Sequence, residues 1–391
     1  KKAHLNHLAG SLIVKLENKK SYLQLRQFIK KQKLAISLDL REVEGQTTAL
    51  NLATYQWALK NTGEAQGVDL DPMIYYKVPG RAGEDLRVGE LLKYQAKEKI
   101  LVAVLDTGVQ TDHPSLGNVI QKNPSECRAL EKFLACLKES KRDVCEKIWM
   151  NTQNPEVDQD GNGYPLDCSG WSLLSGTNAV GITGSPEMSD YHGHGTHVAG
   201  IIAAERKSNS DLSGISQNVR ILPVQVVGGG PNEPIKPMSV VMDPHEDKLQ
   251  RPKRQSFLAD MVARGLIYAM NSGAKVINFS MGWPQNQDSA FIKEVVQVAL
   301  SKGIIIVAAA GNDSTRALLF PCAYSGVVCV GASGPDGAIA HYSNYGSGVD
   351  VLAPGTHILS TYPESLRPKR IREVMGFEFL TGTSQATPFV S

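Results

Sequence analysis

The residues of this sequence that are best suited to chemistry lie in three glycine-rich segments far apart along the chain. Asp106 ends an apolar run, His194 lies between two glycines, and Ser384 follows a Gly-Thr pair. A histidine has its ordinary pKa near neutral pH and can act as a general base toward a hydroxyl, while a carboxylate can hold the imidazole in one tautomer. A hydroxyl, an imidazole and a carboxylate that meet in space can carry out nucleophilic acyl transfer.

The histidine segment also has a metal-binding interpretation. His192, His194 and His197 have the spacing HxHxxH, which occurs in hydrolases whose imidazoles bind zinc. Such sites usually carry an aspartate directly before the last histidine, and Thr196 stands at that position. The pattern therefore favours a general base at His194, with a zinc site as the alternative.

The elements that must position these residues begin at Lys99, where short apolar runs start to alternate with helical patterns. The predicted strands are Ile100–Leu105, Val219–Val227, Lys275–Phe279, Gly303–Ala309, Val327–Gly331 and Val349–Leu352. The predicted helices lie near His197–Glu205, Phe257–Asn271 and Ala290–Ser301, and Glu126–Met150 has helical spacing within an insertion. Gly228–Gln255 is predicted to be a long exposed loop. Continuous apolar strands separated by helices predict an α/β fold, a mostly parallel sheet with helices on both faces, whose sites lie at the carboxyl ends of the strands.

Composition and charge exclude several classes of protein. Of the 391 residues 42% are hydrophobic and 20% are charged, which is typical of a globular chain and disfavours disorder. No segment approaches the roughly 18 consecutive apolar residues of a membrane span, and a net charge of +2 argues against a nucleic-acid-binding surface. Residues 1–41 hold ten Lys and Arg against two acids. This basic segment and the acidic remainder can attract each other.

The cysteines fall into local groups without the CxxC spacing of zinc sites. The first group lies in or just after the insertion and the second flanks a short turn: Cys127, Cys136, Cys145 and Cys168, then Cys322 and Cys329. This clustering predicts disulfides that hold surface loops, and hence an oxidising compartment. We therefore expect a secreted protein, extracellular or periplasmic, whose signal peptide is not part of the sequence; unpaired thiols in a cytosolic protein are the alternative.

Three blocks resemble the signature blocks of the subtilisin-like serine proteases, the subtilases. They are Leu-Asp106-Thr-Gly-Val, His194-Gly-Thr-His-Val-Ala-Gly and Gly-Thr-Ser384-Gln-Ala-Thr-Pro. The resemblance implies an endopeptidase that acts on polypeptides through an acyl-enzyme and uses no organic cofactor. It assigns Ser384 as nucleophile, His194 as general base and acid, and Asp106 as the group that orients the histidine.

Two further segments resemble parts of the same family's site. Ala308-Ala-Ala-Gly-Asn312 is similar to the oxyanion-hole segment, which implies the Asn312 amide and the Ser384 N–H as donors. The segment that begins at Asn278 resembles the strand that pairs with an extended substrate and forms a wall of the primary specificity pocket. That resemblance implies that Ser280, Met281 and Gly282 bind substrate.

The resemblance also divides the chain into regions. Residues 1–52 correspond to a small α+β prodomain that assists folding and inhibits the site within the same molecule, with strands at Ser11–Leu16 and Ala35–Val43 and a helix at Tyr22–Lys31. Residues 53–98 correspond to the N-terminal extension of the mature enzyme and residues 99–391 to a catalytic domain. Because the family continues well beyond the nucleophile, we expect that domain to be incomplete at its C-terminus, with the remainder missing or supplied by a second chain. A catalytically silent assembly that only binds is the alternative.

An acidic loop between the first two blocks has the pattern of a calcium site. Oxygen-bearing side chains alternate along it, with glycine at the sixth position as in an EF-hand loop. The closing glutamate of that pattern is absent, because Ser169 occupies position twelve. The predicted ligands of a structural calcium ion are Asp158, Asp160, Asn162, Tyr164 and, in place of the glutamate, Asp167. An ordinary turn without an ion is the alternative.

Overall fold

A computed structural model describes residues 6–8, 11–13, 56–63, 80–88, 98–150, 157–177, 181–186, 188–207, 212–228, 251–366 and 376–391. The chain divides into two compact units, Lys1–Thr48 and Ala49–Ser391. In the first unit, β1 (Asn6–Leu8) and β2 (Ser11–Ile13) form an antiparallel pair. The strand expected from Ser11 is therefore present over its first three residues, while Tyr22–Lys31 and Ala35–Val43 lie outside the described residues.

An eight-stranded sheet organises the second unit. Its strands are β3 (Ile100–Asp106), β4 (Trp171–Thr177), β5 (Thr183–Ser185), β6 (Val219–Gln225), β7 (Val276–Phe279), β8 (Ile305–Ala309), β9 (Val328–Ser333) and β10 (Val351–Pro354). The spatial order is β10-β9-β8-β7-β3-β6-β4-β5, and every neighbouring pair is parallel except β4 with β5. A separate antiparallel pair joins β11 (Ile358–Thr361) to β12 (Phe377–Leu380).

Helices cover both faces of this sheet. They are α1 (Pro124–Glu139), α2 (Arg142–Trp149), α3 (His194–Ala203), α4 (Arg251–Asn271), α5 (Ala290–Ser301) and the short α6 (Thr383–Ala386). One core cluster unites Val104 of β3 with Val198 of α3, and the opposite cluster unites Leu105 with Leu266 of α4. The predicted α/β fold, with a mostly parallel sheet between helices, is confirmed. Among the helices of the described residues, none combines the length and apolar character that a membrane span requires.

Strand β3 lies in the middle of the sheet, between β6 and β7, and this position determines the surroundings of Asp106. Its alternate residues pack into the two clusters, since a parallel sheet covered on both sides needs apolar residues at successive positions. Asp106 is the last residue of the strand, pairs in register with Gln225, and is fully buried. The carboxylate is therefore at the carboxyl edge of the sheet, as expected.

The starts of two helices differ most from the sequence-based expectations. Helix α3 begins at His194 rather than His197, because Gly195 lies inside the helix and does not interrupt it. Residues 251–255 belong to α4, so the prediction that the loop continues to Gln255 was wrong for these five residues. The inserted segment is helical as predicted.

All six cysteines are paired, which confirms the disulfide prediction. Cys136–Cys145 joins α1 to α2, Cys127–Cys168 joins α1 to the end of the acidic loop, and Cys322–Cys329 closes the turn before β9.

Candidate active site

Asp106 and His194 form the centre of the candidate site. The Nδ1 atom of His194 lies 2.7 Å from Oδ1 of Asp106, and this same oxygen accepts a hydrogen bond of 2.7 Å from the N–H of Thr107. The side chain of His194 is 11% exposed and that of Asp106 is 0% exposed. The carboxylate therefore holds one nitrogen of the imidazole from inside the protein, and the other nitrogen has no hydrogen bond to a described residue.

Glycines allow the histidine helix to reach the end of β3. A Cβ atom added at Gly195 would lie 2.0 Å from the carbonyl oxygen of Gly108 and 3.1 Å from Cβ of Asp106. Gly193, the N-cap of α3, has φ +87°, and an added Cβ there would lie 2.2 Å from the ring of Tyr362. Gly195 is therefore required by the short distance between two backbones, and Gly193 by its positive φ and by the ring of Tyr362.

The charge near the imidazole determines the proton affinity of His194. Burial is the largest single influence on its pKa and lowers it, but the charge of Asp106, the hydrogen bond to Asp106 and the charge of Asp190 together outweigh burial. The pKa of His194 is therefore raised above its ordinary value of 6.5. A histidine with a raised pKa is a better proton acceptor whenever it is neutral.

Ser384 lies in α6, which packs beside α3 at the same edge of the sheet. Its hydroxyl donates a hydrogen bond of 2.7 Å to the carbonyl of Ser280, and the Ser280 hydroxyl donates one of 2.8 Å to the carbonyl of Ser384. This reciprocal pair ties α6 to the end of β7. The described residues contain no hydrogen bond between Ser384 and His194, so the hydroxyl is directed at the neighbouring backbone instead of the imidazole.

Asn312 follows β8 and lies against the residue that precedes Ser384. Its Oδ1 accepts hydrogen bonds from the N–H of Thr383, at 2.8 Å, and from the Thr383 hydroxyl, at 3.0 Å. These two bonds use the carbonyl end of the amide and fix its orientation. The exposed amide nitrogen makes no hydrogen bond to a described residue and is available as a donor beside the serine.

The segment from Ser280 to Gly282 borders the same space. Met281 is buried, and Gly282 is exposed with its Cα close to Leu319, since an added Cβ would lie 2.7 Å from Cβ of Leu319. Trp283 pairs with Phe320 through two backbone hydrogen bonds of 2.9 and 2.8 Å. Within the described residues, the N–H and C=O groups of Met281 and Gly282 have no hydrogen-bond partner. An extended peptide is the type of ligand that pairs with such an open backbone edge.

The match to known proteins agrees with this geometry. Residues 97–391 match the profile described as the subtilase family. The chain belongs to the subtilase family. This subtilase is 33% identical over 210 residues to the alkaline protease of Alkalihalobacillus alcalophilus and, over the same length, to subtilisin BL of Lederbergia lenta.

The alignments cover 54% of this subtilase, and 46% and 64% of those two relatives, so the chain spans about half to two thirds of the curated relatives it matches. A solved structure, that of the prenylagaramide maturation protease PagA, is 23% identical with a TM-score of 0.47, covering 78% of this chain and 77% of that chain.

The other two histidines of the HxHxxH segment, His192 and His197, have contacts within the protein. Nε2 of His197 donates to the carbonyls of Ile358 and Glu378, at 3.0 and 3.1 Å, and burial lowers the pKa of His197 to about 3. Burial also lowers the pKa of His192. Because His194 binds Asp106 and His197 binds two backbone carbonyls, the three rings do not converge on a common ligand. This arrangement favours the structural interpretation of His192 and His197 over the zinc site.

The acidic loop of the subtilase folds back on itself through its own side chains. Asp158 accepts from the N–H of Gly163 at 3.1 Å, and the side-chain nitrogen of Asn162 donates to Asp160 at 3.2 Å and to Asp167 at 2.7 Å. Asp167 also accepts from the Tyr268 hydroxyl at 2.8 Å. Asp160 and Asp167 are thus joined through Asn162, and Asp158 accepts from the backbone of the same loop. Tyr164 packs its ring edge-on against Trp171 and Tyr268, and its backbone N–H donates to Oδ1 of Asn162 at 2.8 Å.

Glu126 joins this group and was not predicted. It lies in the first turn of α1, is 0% exposed, and accepts from the N–H groups of Gln159 and Asp167, each at 3.0 Å. One oxygen each of Glu126, Asp158 and Asp160 lie within 4.8 Å of one another. The only sequence signal was an acidic residue shortly before Cys127, which pairs with Cys168 at the end of the loop.

Burial makes ionisation unfavourable for several carboxylates of this group. Burial, followed by contact with Glu126, raises the pKa of Asp167 to about 9, and burial raises the pKa of Glu126 and of Asp158. One buried oxygen of Asp158 and one of Asp167 have no hydrogen-bond partner. Unpartnered carboxylate oxygens around a small space are the donor set that Ca²⁺ prefers, so the residues fit this ion.

Proposed function

We propose that this subtilase is a serine endopeptidase that hydrolyses polypeptides through Asp106, His194 and Ser384. The observation that carries the proposal is the 2.7 Å contact between the buried carboxylate of Asp106 and Nδ1 of His194. A buried carboxylate on Nδ1 fixes the tautomer in which Nε2 is free to accept a proton. The position of α6 beside α3 supports Ser384 as the source of that proton.

The chemistry proceeds in two halves. In the first, the hydroxyl of Ser384 leaves the carbonyl of Ser280 and gives its proton to Nε2 of His194 while its oxygen attacks the scissile carbonyl. The imidazolium then gives the proton to the leaving amine, and an acyl-enzyme remains. In the second, a water molecule loses a proton to His194 and attacks the ester, and His194 then gives that proton to the Ser384 oxygen as the acid is released. Hydroxyl contacts in a free enzyme are often poorly aligned and tighten only with substrate bound.

Two donors would stabilise the oxyanion, namely the Asn312 side-chain nitrogen and the N–H of Ser384. The orientation of the Asn312 amide by Thr383 supports this assignment, because an oriented donor needs no reorganisation when charge develops. Ser280, Met281 and Gly282 would bind the substrate backbone. The unpaired N–H and C=O groups of Met281 and Gly282 support this role.

A structural calcium ion would be held by Glu126, Asp158, Asp160, Asn162 and Asp167, with the Tyr164 carbonyl. When bound, the ion supplies positive charge to a buried acidic group and takes no part in peptide hydrolysis. Residues 1–52 would act as a prodomain and inhibitor, which the excess of basic residues in residues 1–41 supports. The disulfides support a secreted protein that works in an oxidising compartment.

The test is pre-steady-state hydrolysis of a p-nitrophenyl ester and steady-state hydrolysis of an unfolded polypeptide. We expect a burst of one nitrophenol per active molecule, followed by slower turnover, and internal cleavage of the polypeptide. A Ser384→Ala variant that folds like the wild type should lack both activities. Peptide hydrolysis that persists in this variant, or a folded wild type that binds polypeptide without cleaving it, would contradict the proposal.

A further inference from the structure

Asp190 lies where the loop before α3 meets the end of β3. The residue is 6% exposed, and its carboxylate accepts five hydrogen bonds. Oδ1 accepts from the Thr107 hydroxyl at 3.0 Å, from the N–H of His192 at 3.0 Å and from the N–H of Gly193 at 2.7 Å. Oδ2 accepts from the N–H of Thr196 at 2.9 Å and from its hydroxyl at 2.6 Å. One side chain therefore connects the residue after Asp106 to backbone on both sides of His194.

We propose that Asp190 is a positioning residue that holds His194 against Asp106 and keeps a second negative charge beside the imidazole. This inference rests on the proposed function, in which His194 is the general base. Asp190 does not touch the reacting atoms and acts through His194.

The connection through Thr107 makes the position of the helix rigid. The hydroxyl of Thr107 donates to Asp190 and accepts from the N–H of Gly195 at 2.9 Å, while the N–H of Thr107 donates to Asp106 at 2.7 Å. Thr107 is therefore bonded to the carboxylate that orients the histidine and to the helix that carries it. Asp190 closes this ring of hydrogen bonds from the other side.

A second contact joins the loop before α3 to the end of β3. The side-chain nitrogen of Gln225 donates to the carbonyls of Thr107 and Ser189, each at 2.8 Å. The backbone next to Asp190 is thus fixed to the end of β3 independently of the carboxylate. A substitution of Asp190 that keeps its size should leave the loop in place and remove only the charge and some of its hydrogen bonds.

The hydrogen bonds require an ionised Asp190. Each of the two threonine hydroxyls already accepts from a backbone N–H, Thr107 from Gly195 and Thr196 from Gln110, so its single proton points to Asp190. All five partners donate to the carboxylate in this arrangement. Burial has the largest effect and leaves the pKa of Asp190 raised above its ordinary value, although the bonds from Thr196, Gly193 and His192 lower it. Since only the ionised form accepts all five bonds, we take Asp190 to be charged at neutral pH.

Four titratable groups face His194. They are Asp106 at the end of β3, Asp190 and His192 in the loop before α3, and His197 one turn along the helix. Asp106 and Asp190 each favour the imidazolium, and the charge of His194 in turn lowers the pKa of both His192 and His197. Asp190 therefore contributes to the stability of the imidazolium that forms when Ser384 gives up its proton.

The test compares Asp190→Asn with Thr196→Val by the pH dependence of kcat/KM. Asp190→Asn keeps the shape of the side chain but removes its charge. We expect kcat to fall on the order of 10²-fold with little change in KM. We also expect the acid limb of the pH profile, where kcat/KM falls as His194 is protonated, to move to lower pH. Thr196→Val removes one donor from the same carboxylate and keeps the charge, so we expect its acid limb to stay in place. A loss of activity without a shift of the limb in Asp190→Asn, or equal shifts in both variants, would overturn the inference.

A second readout separates this inference from the proposed function. An NMR titration of the His194 ring in a Ser384→Ala background measures its pKa without turnover, and adding Asp190→Asn should lower that pKa. An unchanged pKa overturns the role of Asp190 even if the wild type is a protease. A lowered pKa together with no hydrolysis by the folded wild type would reject the proposed function and leave the pairing of Asp190 with His194 intact.

If Asp190→Asn does not fold, Thr107→Val and Thr107→Ser test the same connection. We expect Thr107→Val to lower kcat and Thr107→Ser, which keeps the hydroxyl, to retain it. Equal kcat values for these two variants would show that the link from Thr107 to Asp190 does not position the histidine.

Discussion

At the scale of single residues, the proposed mechanism separates the group that would orient the base from the group that the base would activate. Asp106 is buried under His194 and bonded to it, whereas the hydroxyl of Ser384 is bonded to the carbonyl of Ser280. The serine must exchange that partner for the imidazole before it can react. A substrate lying along Ser280 to Gly282 would compete for the same backbone, so substrate binding and reorientation of the hydroxyl are expected to be coupled.

Asp106→Asn should lower kcat by roughly 10⁴-fold, the effect of this change in a serine protease of another fold. In the wild type, kcat/KM should fall as the pH drops through the pKa of His194, which lies above 6.5, because only the neutral imidazole accepts a proton. Without the carboxylate that pKa falls, so the residual activity of the variant should persist to lower pH. A pH profile of both proteins measures this, and an unshifted acid limb would contradict the pairing.

Asn312→Asp should lower kcat while leaving the fold intact. The aspartate keeps the oxygen that accepts from Thr383, but it replaces the donor nitrogen with an oxygen that repels the oxyanion. Loss of one such donor costs about 10²- to 10³-fold in kcat, a value measured in a subtilisin. Steady-state kinetics with a peptide ester tests the change, and an unchanged kcat would remove Asn312 from the site.

At the scale of secondary structure, the site depends on how closely two backbones approach. Helix α3 lies against the turn after β3 because Gly195 and Gly108 bring main chain within contact distance of main chain. The approach also explains why glycine is tolerated inside the first turn of a helix. Glycine at this position costs about 1 kcal/mol in conformational entropy relative to alanine. The close approach that it permits brings His194 within hydrogen-bond distance of Asp106.

Gly195→Ala should therefore damage activity and stability together. The new Cβ would lie 2.0 Å from the Gly108 carbonyl oxygen, so the helix must shift away from β3. Overpacking of this type costs about 1–3 kcal/mol, and the shift should also lower kcat. Gly117→Ala is the matched control, since the nearest atom to its new Cβ is 3.7 Å away. Denaturant unfolding and esterase kinetics measure both effects, and equal results for the two variants would contradict the account.

The strands were predictable because apolar runs bounded by turn residues indicate buried strands. Each of the six predicted strands is present, with ends that coincide or are displaced by one or two residues, and α5 has the predicted bounds. The start of α3 was not predictable, because a glycine on each side of His194 indicates a loop until the close contact with Gly108 is known. Glu126 was missed because Gln159 and Asp167 approach it from a distant segment, and Asp190 because its link to the distant Thr107 cannot be seen in the sequence.

At the scale of the whole molecule, the acidic loop connects elements that are far apart in sequence. Glu126 comes from α1, Tyr268 from α4 and Asp167 from the loop itself, and the disulfide Cys127–Cys168 fixes the same junction. Crowded carboxylates repel one another unless they are protonated or bind a cation. A calcium ion here would stabilise the insertion that contains α1 and α2 rather than the active site.

Removal of calcium should lower the unfolding temperature of the Ser384→Ala protein, which cannot digest itself. An ion at a hundredfold excess over its Kd contributes about 2.7 kcal/mol, and a chelator removes this contribution. Asp158→Asn should abolish the response to calcium, whereas Asp143→Asn, which removes an exposed acid from α2, should retain it. Calorimetry with and without the chelator measures the effect. The same response in all three proteins would place the ion elsewhere.

The central claim, that Ser384 is activated by His194 and Asp106, is tested most directly by locating the adduct of a fluorophosphonate. Intact-mass and peptide mass spectrometry of the treated protein should find one phosphonyl group per molecule, on the peptide that contains Ser384. The adduct should be absent from Ser384→Ala and should form much more slowly in Asp106→Asn. No adduct on the folded wild type, or an adduct on another residue that survives in Ser384→Ala, would contradict the claim.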